Sequence, residues 1–476
     1  MTMRLTIDSE LTLTGLPEDF KIWFQDQLTF DNPKYLEATK RGYFSKFLPQ
    51  HIRMYRKKLD GSIIIPRGFL QIVEEALIGQ GFGTQIVDNR VFTTPPIMFK
   101  PKIDLWSFQD VARTQLFRHP NGMLVSPAGS GKTIFGLDII ASLYQRTLWI
   151  VHTNQLLEQA AERITNVFED IDKKDIGIIG GGKFEVGEKI TVALVQTLIR
   201  RRVDLPSIGR EFGLVILDEA HHAPARIFTE VLSHFASFYM YGLTATPYRR
   251  DGLQGIMYAA VGLANAVVDR EEVEEAGKIV KPIVLVREVP SRVIDSNDFH
   301  AIMSGLPDNR MRTLMIVEDV LREAKKGHHC IVISTRREYC QLLLHHIEEF
   351  WSKVGIASGE FSRKHNMNEV KRLESGEINV LITTFELLGE GFDVQKLDRG
   401  FIVLPFRERT RVEQAVGRIQ RTCEGKTDAI LYDYVDRNIG ILNNQFLHRA
   451  LTYKRLGLDI ATDPMFIKEL TNEIKD

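Results

Sequence analysis

The chain has 476 residues, enough for roughly three domains of ordinary size, and 44% hydrophobic with 26% charged residues supplies apolar material for real cores. A formal net charge of −1 excludes an argument from bulk charge for or against a polyanionic partner and leaves that role to local patches. Cys330, Cys340 and Cys423 stand in no CxxC or Cys/His spacing, which excludes a disulfide framework and a structural zinc and reads as buried thiols of a reducing compartment.

The N-terminus, MTMRLTIDSELTLTGL, alternates polar and apolar residues without a continuous apolar segment, so it is not read as a signal peptide. No window of about 18 apolar residues occurs, so no membrane span or membrane partner is expected. Residues 1–100 read as a small α+β domain of short strands and helices. Within it, Lys34 to Arg67 holds nine Lys/Arg against two Asp/Glu, with Tyr35, Tyr43, Phe44, Phe47 and Tyr55 interleaved. That pattern fits a phosphate-backbone contact surface, with Arg56, Lys57 and Lys58 as candidate DNA contacts; the competing reading is a solvated basic face.

From residue 101 a different rhythm sets in: a buried-type strand, a polar or Gly-rich turn, then a helix. GMLVS near 122, TLWIVH near 147, TVALVQ near 191, FGLVILDE near 212 and MYGLTAT near 240 form a first series of strands. HHCIVIS near 328, NVLITT near 379, GFIVLP near 400 and AILYDY near 429 form a second. Continuous apolar strands alternating with helices predict doubly wound parallel α/β sheets, and two series predict two tandem domains, 101–278 and 279–476. DREEVEEAGK (269–278), followed by KPIVLV, is the candidate join, or else the first domain's last helix.

The chemistry begins at SPAGSGKT, residues Ser126, Pro127, Ala128, Gly129, Ser130, Gly131, Lys132 and Thr133. A Gly-rich turn between strand and helix lets backbone N–H groups approach a polyphosphate, and the helix N-terminus adds partial positive charge. Lys132 would reach the β/γ-phosphates of ATP and the Thr133 hydroxyl would bind Mg2+. Ser126 stands where the general pattern has its first Gly. In LVILDEAHH an apolar strand ends in two carboxylates: Asp218 is placed to hold Mg2+, and Glu219 to orient and deprotonate the attacking water. In QAVGRIQR the spacing predicts that one helix face presents both Arg418 and Arg421, cations suited to charge developing on a γ-phosphate.

In this order, the motifs resemble those of helicase superfamily 2, the DEAH/DEAD-like group, over Trp106 to about Asp436. The set is LWSFQ, SPAGSGKT, VHTNQLLEQ, VQTL, DEAH, GLTATP, VISTRRE, TTFELLGEGFDV and QAVGRIQR. The resemblance implies two RecA-like domains closing on ATP. It implies that Gln109 reads adenine, that Asp393 meets the ribose, and that Gln414 and His221 communicate across the interface. Thr244 and Thr246 would couple hydrolysis to strand grip. Thr153, Asn154, Thr197, Thr335, Thr383 and Thr384 would touch the sugar-phosphate backbone, a grip that reads no bases.

TATPYRRDG places Arg249 and Asp251 where XPB-like helicases carry an Arg–Glu–Asp element, with Arg250 in place of the acid. FDNPKYLEATKRGYF and IIIPRGF also look like the entry region of XPB-like and phage UvsW-like helicases. These imply an ATP-dependent DNA motor that remodels branched or forked DNA with duplex arms: fork regression, junction migration, R-loop unwinding. Replication or recombination proteins are possible partners, the state expected is a monomer, and the expected place is the cytoplasm of a bacterial or phage-infected cell. The alternatives are an RNA helicase, or the motor subunit of a restriction or recombination complex with FLHRALTYKRLGLDI (446–460) as a partner surface. The usual reading of that stretch is a terminal helix packed on the second domain.

Overall fold

The computed structural model describes residues 3–40, 42, 48–79, 81, 83–93, 103–169, 171–172, 174–219, 225–245, 253–289, 298–389 and 394–461. The chain divides into two compact units: one reaches Asp269 apart from Ala128–Ser130, and the other takes in those three residues and the chain from Arg270. Among the described residues no helix is long and apolar enough to cross a membrane.

The first unit opens with a five-stranded sheet in the order Arg56–Lys57, Ile63–Pro66, Glu10–Thr14, Met3–Ile7, Thr84–Asp88. Alternation decides its faces. Met3, Leu5 and Ile7 are buried while Arg4 is exposed, and Leu11 and Leu13 point the same way from the next strand. The helices Glu18–Gln27 and Leu70–Gly79 close that face with Phe24, Leu70, Val73 and Leu77.

The same unit holds an eight-stranded sheet, ordered Lys183–Phe184, Ile176–Gly180, Ile190–Leu194, Thr147–Val151, Leu214–Asp218, Tyr239–Thr244, Asn121–Val125, Ala266–Val267. Its pairings are parallel except at the Lys183–Phe184 edge. The central strands are buried along their whole length, as a sheet covered by helices on both faces requires. Register brings the strand ends together: Asp218 lies opposite Leu243, and Thr244 opposite Val125.

The small sheet is docked on the large one within this unit. The 3-10 turn Arg67–Phe69 packs on the helix Gln254–Val261, and Ala259 of that helix joins the small sheet's core. Arg67, which sequence counts toward a basic surface, is fully buried. Its guanidinium donates to the carbonyls of Ser237 and Phe238 and to Asn121 Oδ1, and burial, then the nearby Arg90, push it below its ordinary pKa.

The second unit is an all-parallel seven-stranded sheet: Val354–Ala357, Val380–Thr384, Cys330–Ser334, Arg399–Ile402, Ile430–Val435, Ile283–Glu288, Asp459–Ala461. A core fills each face. Cys330 and Cys340 lie inside it, and burial pushes the Cys340 thiol up to about 12 and that of Cys330 well above its ordinary value. The helix Gly440–Arg455 buries Leu442, Phe446, Ala450 and Tyr453 in these cores, so most of segment 446–460 packs on its own sheet.

Candidate active site

The loop from Ser126 to Gly131 leaves the strand Asn121–Val125 and feeds the helix Lys132–Leu143. Gly129 and Gly131 have φ of +89° and +78°, a backbone that side chains with a Cβ resist. The Ser126 N–H donates to the Thr244 carbonyl over 2.9 Å, which ties the loop's start to the end of the neighbouring strand. A Cβ at Gly131 would stand 2.7 Å from Gln109 Nε2 and 3.3 Å from the Trp106 ring, so both side chains lie against the loop. Gln109 is buried, and its Oε1 accepts a 2.9 Å hydrogen bond from the Trp106 N–H. Sequence reasoning gave Trp106 no role of its own; an aromatic three residues before Gln109 was the available signal.

Lys132 Nζ donates to the carbonyls of Ser126 (3.3 Å) and Pro127 (3.5 Å) and stands 3.6 Å from Glu219 Oε1. Two motifs about ninety residues apart in sequence thus meet at one ammonium. Asp218 is buried, and burial first, then the Glu219 carboxylate, raise it to about 7 while Lys132 pulls it down. Glu219 has φ +50°, one of two left-handed non-glycine residues among those described. A strained acid at a strand end costs of the order of 1 kcal/mol and persists where the surroundings over-determine it, typically at functional sites. The donor set fits Mg-ATP. The Asp218 carboxylate and Thr133 hydroxyl are hard oxygen donors, a carboxylate held this high gains from a divalent cation, and the loop leads into the N-terminus of the helix Lys132–Leu143, an end that favours a phosphate.

Comparison with known proteins gives this arrangement its context. Residues 102–249 match the family "Type III restriction enzyme, res subunit", and residues 312–423 match "Helicase conserved C-terminal domain". The chain is 36% identical over 197 residues to the DNA 3'-5' translocase XPB2 of Sulfurisphaera tokodaii, covering 41% of this chain and 42% of that protein. It is 25% identical over 398 residues to the probable helicase D10 of Escherichia phage T5, covering 82% and 83%. The chain belongs to superfamily 2 of the helicases. It thus spans about two fifths of the length of the XPB2 relative and most of D10. A crystal structure titled "DUF1998 helicase MrfA bound to DNA" has the same fold, with TM-score 0.57 and 15% identity over 78% of this chain and 54% of that one.

In the second unit of this helicase, Gln414 and Arg418 lie on the helix Arg409–Ile419. The expectation that one helix face presents both arginines is corrected. The helix ends at Ile419 with Gln420 as its C-cap, and Arg421 lies beyond it, paired with Ile279 in an isolated antiparallel bridge. The Arg418 guanidinium donates to the Leu388 carbonyl at 2.8 and 3.1 Å.

The expected backbone-gripping residues separate into two groups. Thr153 and Asn154 begin the helix Asn154–Val167, where the Thr153 Oγ1 already accepts from the Leu156 N–H over 3.2 Å. Thr197 is half-buried on the helix Val195–Arg200, and Thr335 follows the strand Cys330–Ser334. Thr383 and Thr384 are buried in the strand Val380–Thr384, and the Thr383 hydroxyl donates to the Thr384 carbonyl. Their hydroxyls therefore do not face solvent. Arg56, Lys57 and Lys58 are exposed at the edge of the small sheet, with Arg56 ion-paired to Glu10. His221, Thr246, Arg249, Asp251 and Asp393 lie outside the described residues.

Proposed function

We propose that this helicase is an ATP-dependent DNA translocase that remodels branched DNA, with Mg2+ as its metal. The observation that carries the motor is the meeting of Lys132, Glu219 and Asp218 at one loop. Lys132 holds the β/γ-phosphates, Thr133 and Asp218 hold the metal, and Glu219 takes the proton of the attacking water. Gln109 beside Gly131 reads the base. Arg418 and Arg421 meet the charge that develops on the γ-phosphate, with Asp393, Gln414, His221, Thr244, Thr246, Arg249 and Asp251 completing the site and its coupling. ATP supplies the phosphoanhydride whose hydrolysis drives movement.

DNA as the track is favoured by the XPB2 relative, whose name is that of a DNA translocase. Thr153, Asn154, Thr197 and Thr335 hold the sugar-phosphate chain without reading sequence. The docked small domain, residues 1–100, presents Arg56, Lys57 and Lys58 to a duplex arm.

The test is steady-state ATP hydrolysis with no nucleic acid, single-stranded DNA, duplex DNA, a four-way junction and RNA, at matched nucleotide and salt. Stimulation greatest with the junction is the expected result; stimulation by RNA alone overturns the DNA reading.

Replacing Arg56, Lys57 and Lys58 together by Gln is expected to weaken junction binding and to reduce the slope of log affinity against log salt by about two. Three charges go, but Arg56 is already shared with Glu10. Anisotropy titrations between low and moderate salt measure this, and an unchanged slope makes the patch a solvated face.

A further inference from the structure

Two arginines of the second unit are wholly buried and do the same unusual thing. Arg449, on the helix Gly440–Arg455, makes a two-pronged bond to Asp433, Nε to Oδ2 at 2.9 Å and Nη2 to Oδ1 at 2.8 Å. Its remaining Nη1 donates to the Phe406 carbonyl over 2.7 Å. Arg312, on the helix Arg310–Lys325, pairs through Nη1 with Asp436, and its Nη2 donates to the Val403 carbonyl over 2.7 Å. Both arginines are 0% exposed, and their carboxylates hardly more. Asp433 and Asp436 belong to the strand Ile430–Val435 and the residue after it.

The two carbonyls they share out lie three residues apart in one short connection, Val403 to Glu408. That connection joins the strand Arg399–Ile402 to the helix Arg409–Ile419, which carries Gln414 and Arg418. The far end of the same helix is held by a third cation. Lys426 Nζ donates to the carbonyls of Ile419 (2.5 Å), Arg421 (2.6 Å) and Leu397 (2.5 Å).

Stability alone is a poor account of this. A buried ion pair loses on desolvation much of what it gains by attraction, and apolar residues of similar volume often do as well. The Arg312 pair is also incompletely satisfied: Arg312 Nε and Asp436 Oδ1 have no hydrogen-bond partner among the described residues. What the pairs deliver that apolar packing cannot is a directional grip on two backbone carbonyls. The Val403 N–H also donates to the Ile333 carbonyl over 3.1 Å, and Val403, Leu404 and Phe406 are packed in the cores, but it is the two guanidiniums that hold the Val403 and Phe406 carbonyls on the way into the helix.

We propose that Arg312, Arg449 and Lys426 are positioning residues for Arg418. They clamp the entrance and exit of its helix so that the guanidinium is held in place for hydrolysis. This rests on the reading that Arg418 acts on the γ-phosphate.

The experiment compares full-length variants by steady-state, DNA-stimulated ATP hydrolysis well below the unfolding temperature. Arg449→Lys keeps the charge beside Asp433 but lacks the planar fork that serves Phe406 as well. It is expected to lower kcat about 10- to 100-fold with KM for ATP changed less than twofold, since a small misplacement of a catalytic group acts on the transition state. The combined change Arg449→Met, Asp433→Leu and Tyr453→Phe fills the core without charge, the last because the buried Tyr453 hydroxyl also donates to Asp433 Oδ2 over 2.9 Å. It is expected to keep the parent's circular dichroism and thermal midpoint while showing the same loss in kcat, and it decides the matter if Arg449→Lys does not fold. On an Arg418→Ala background, Arg449→Lys should add little further loss.

A kcat within twofold of the parent in the folded variants, with only the thermal midpoint moved, overturns the clamp. So do losses that multiply on the Arg418→Ala background. Full activity of Arg418→Ala itself overturns instead the reading of Arg418. A loss in Arg418→Ala beside full activity in Arg449→Lys overturns the clamp alone.

Discussion

Glu219→Gln is expected to lower kcat for ATP hydrolysis about 10²- to 10⁴-fold, the range that a positioned general base contributes, with nucleotide binding retained. The substitution keeps the side chain's shape and removes only its ability to take a proton. Lys132, 3.6 Å from Glu219 Oε1, keeps its contacts to the Ser126 and Pro127 carbonyls and stays available to a phosphate. The same change takes one of two crowded acids out of a buried site. Asp218 is held near 7 by burial and then by Glu219, so neutralising Glu219 lets Asp218 fall toward the ordinary carboxylate range. The variant should therefore melt no lower than the parent, an exchange of stability against activity usual at catalytic sites. Lys132→Ala should differ in kind. It removes the phosphate's cation, so nucleotide affinity falls along with kcat. Hydrolysis rates, a fluorescent-nucleotide titration and a thermal melt on both proteins measure this. Substantial hydrolysis by pure Glu219→Gln removes that residue from the role of base.

The nine strands legible in the sequence are the central strands of the two parallel sheets. There burial on both faces forces continuous apolar runs such as TLWIV and CIVIS, and the signal is local. Strands that escaped notice are short or broken up by glycine. Ile176–Gly180 runs into three glycines, and Val354–Ala357 has only four residues. The ATP loop and the acid pair were legible because each sits in a contiguous motif. Their convergence was not, since the 3.6 Å approach of Lys132 to Glu219 depends on strand order. The end of the helix at Ile419 was missed for a different reason. A spacing of three predicts a shared face only while the helix continues, and nothing in QAVGRIQR marks the stop. Least legible were the buried arginines. Arg67, Arg312 and Arg449 look like surface residues in sequence, and only their carbonyl and carboxylate partners, distant along the chain, reveal them.

Gly68→Ala is expected to destabilise the first unit by about 3 kcal/mol, the upper part of the range for overpacking a core. Gly68 lies in the turn Arg67–Phe69 between the small sheet and the helix Gln254–Val261. A Cβ there would stand 2.4 Å from the Tyr258 carbonyl oxygen, 2.5 Å from that of Ala259 and 2.6 Å from the Gly262 nitrogen. All three are backbone atoms, so no rotamer change can make room. Either the helix moves or the turn does, and the turn is pinned by Arg67 to Ser237 and Phe238. Gly79→Ala, where a Cβ meets nothing within 4 Å, is the matched control and should be neutral or slightly stabilising because Ala favours helix. Urea unfolding followed by tryptophan emission and by limited proteolysis of residues 1–100 distinguishes the outcomes. If Gly68→Ala shifts the midpoint and exposes the small domain to protease, that domain is rigidly joined to the helix that follows the TATP segment. Strain at the small domain is then transmitted to the motor's first unit. If the shift matches that of Gly79→Ala, the junction yields, and the basic edge at Arg56–Lys58 is not fixed relative to the ATP loop.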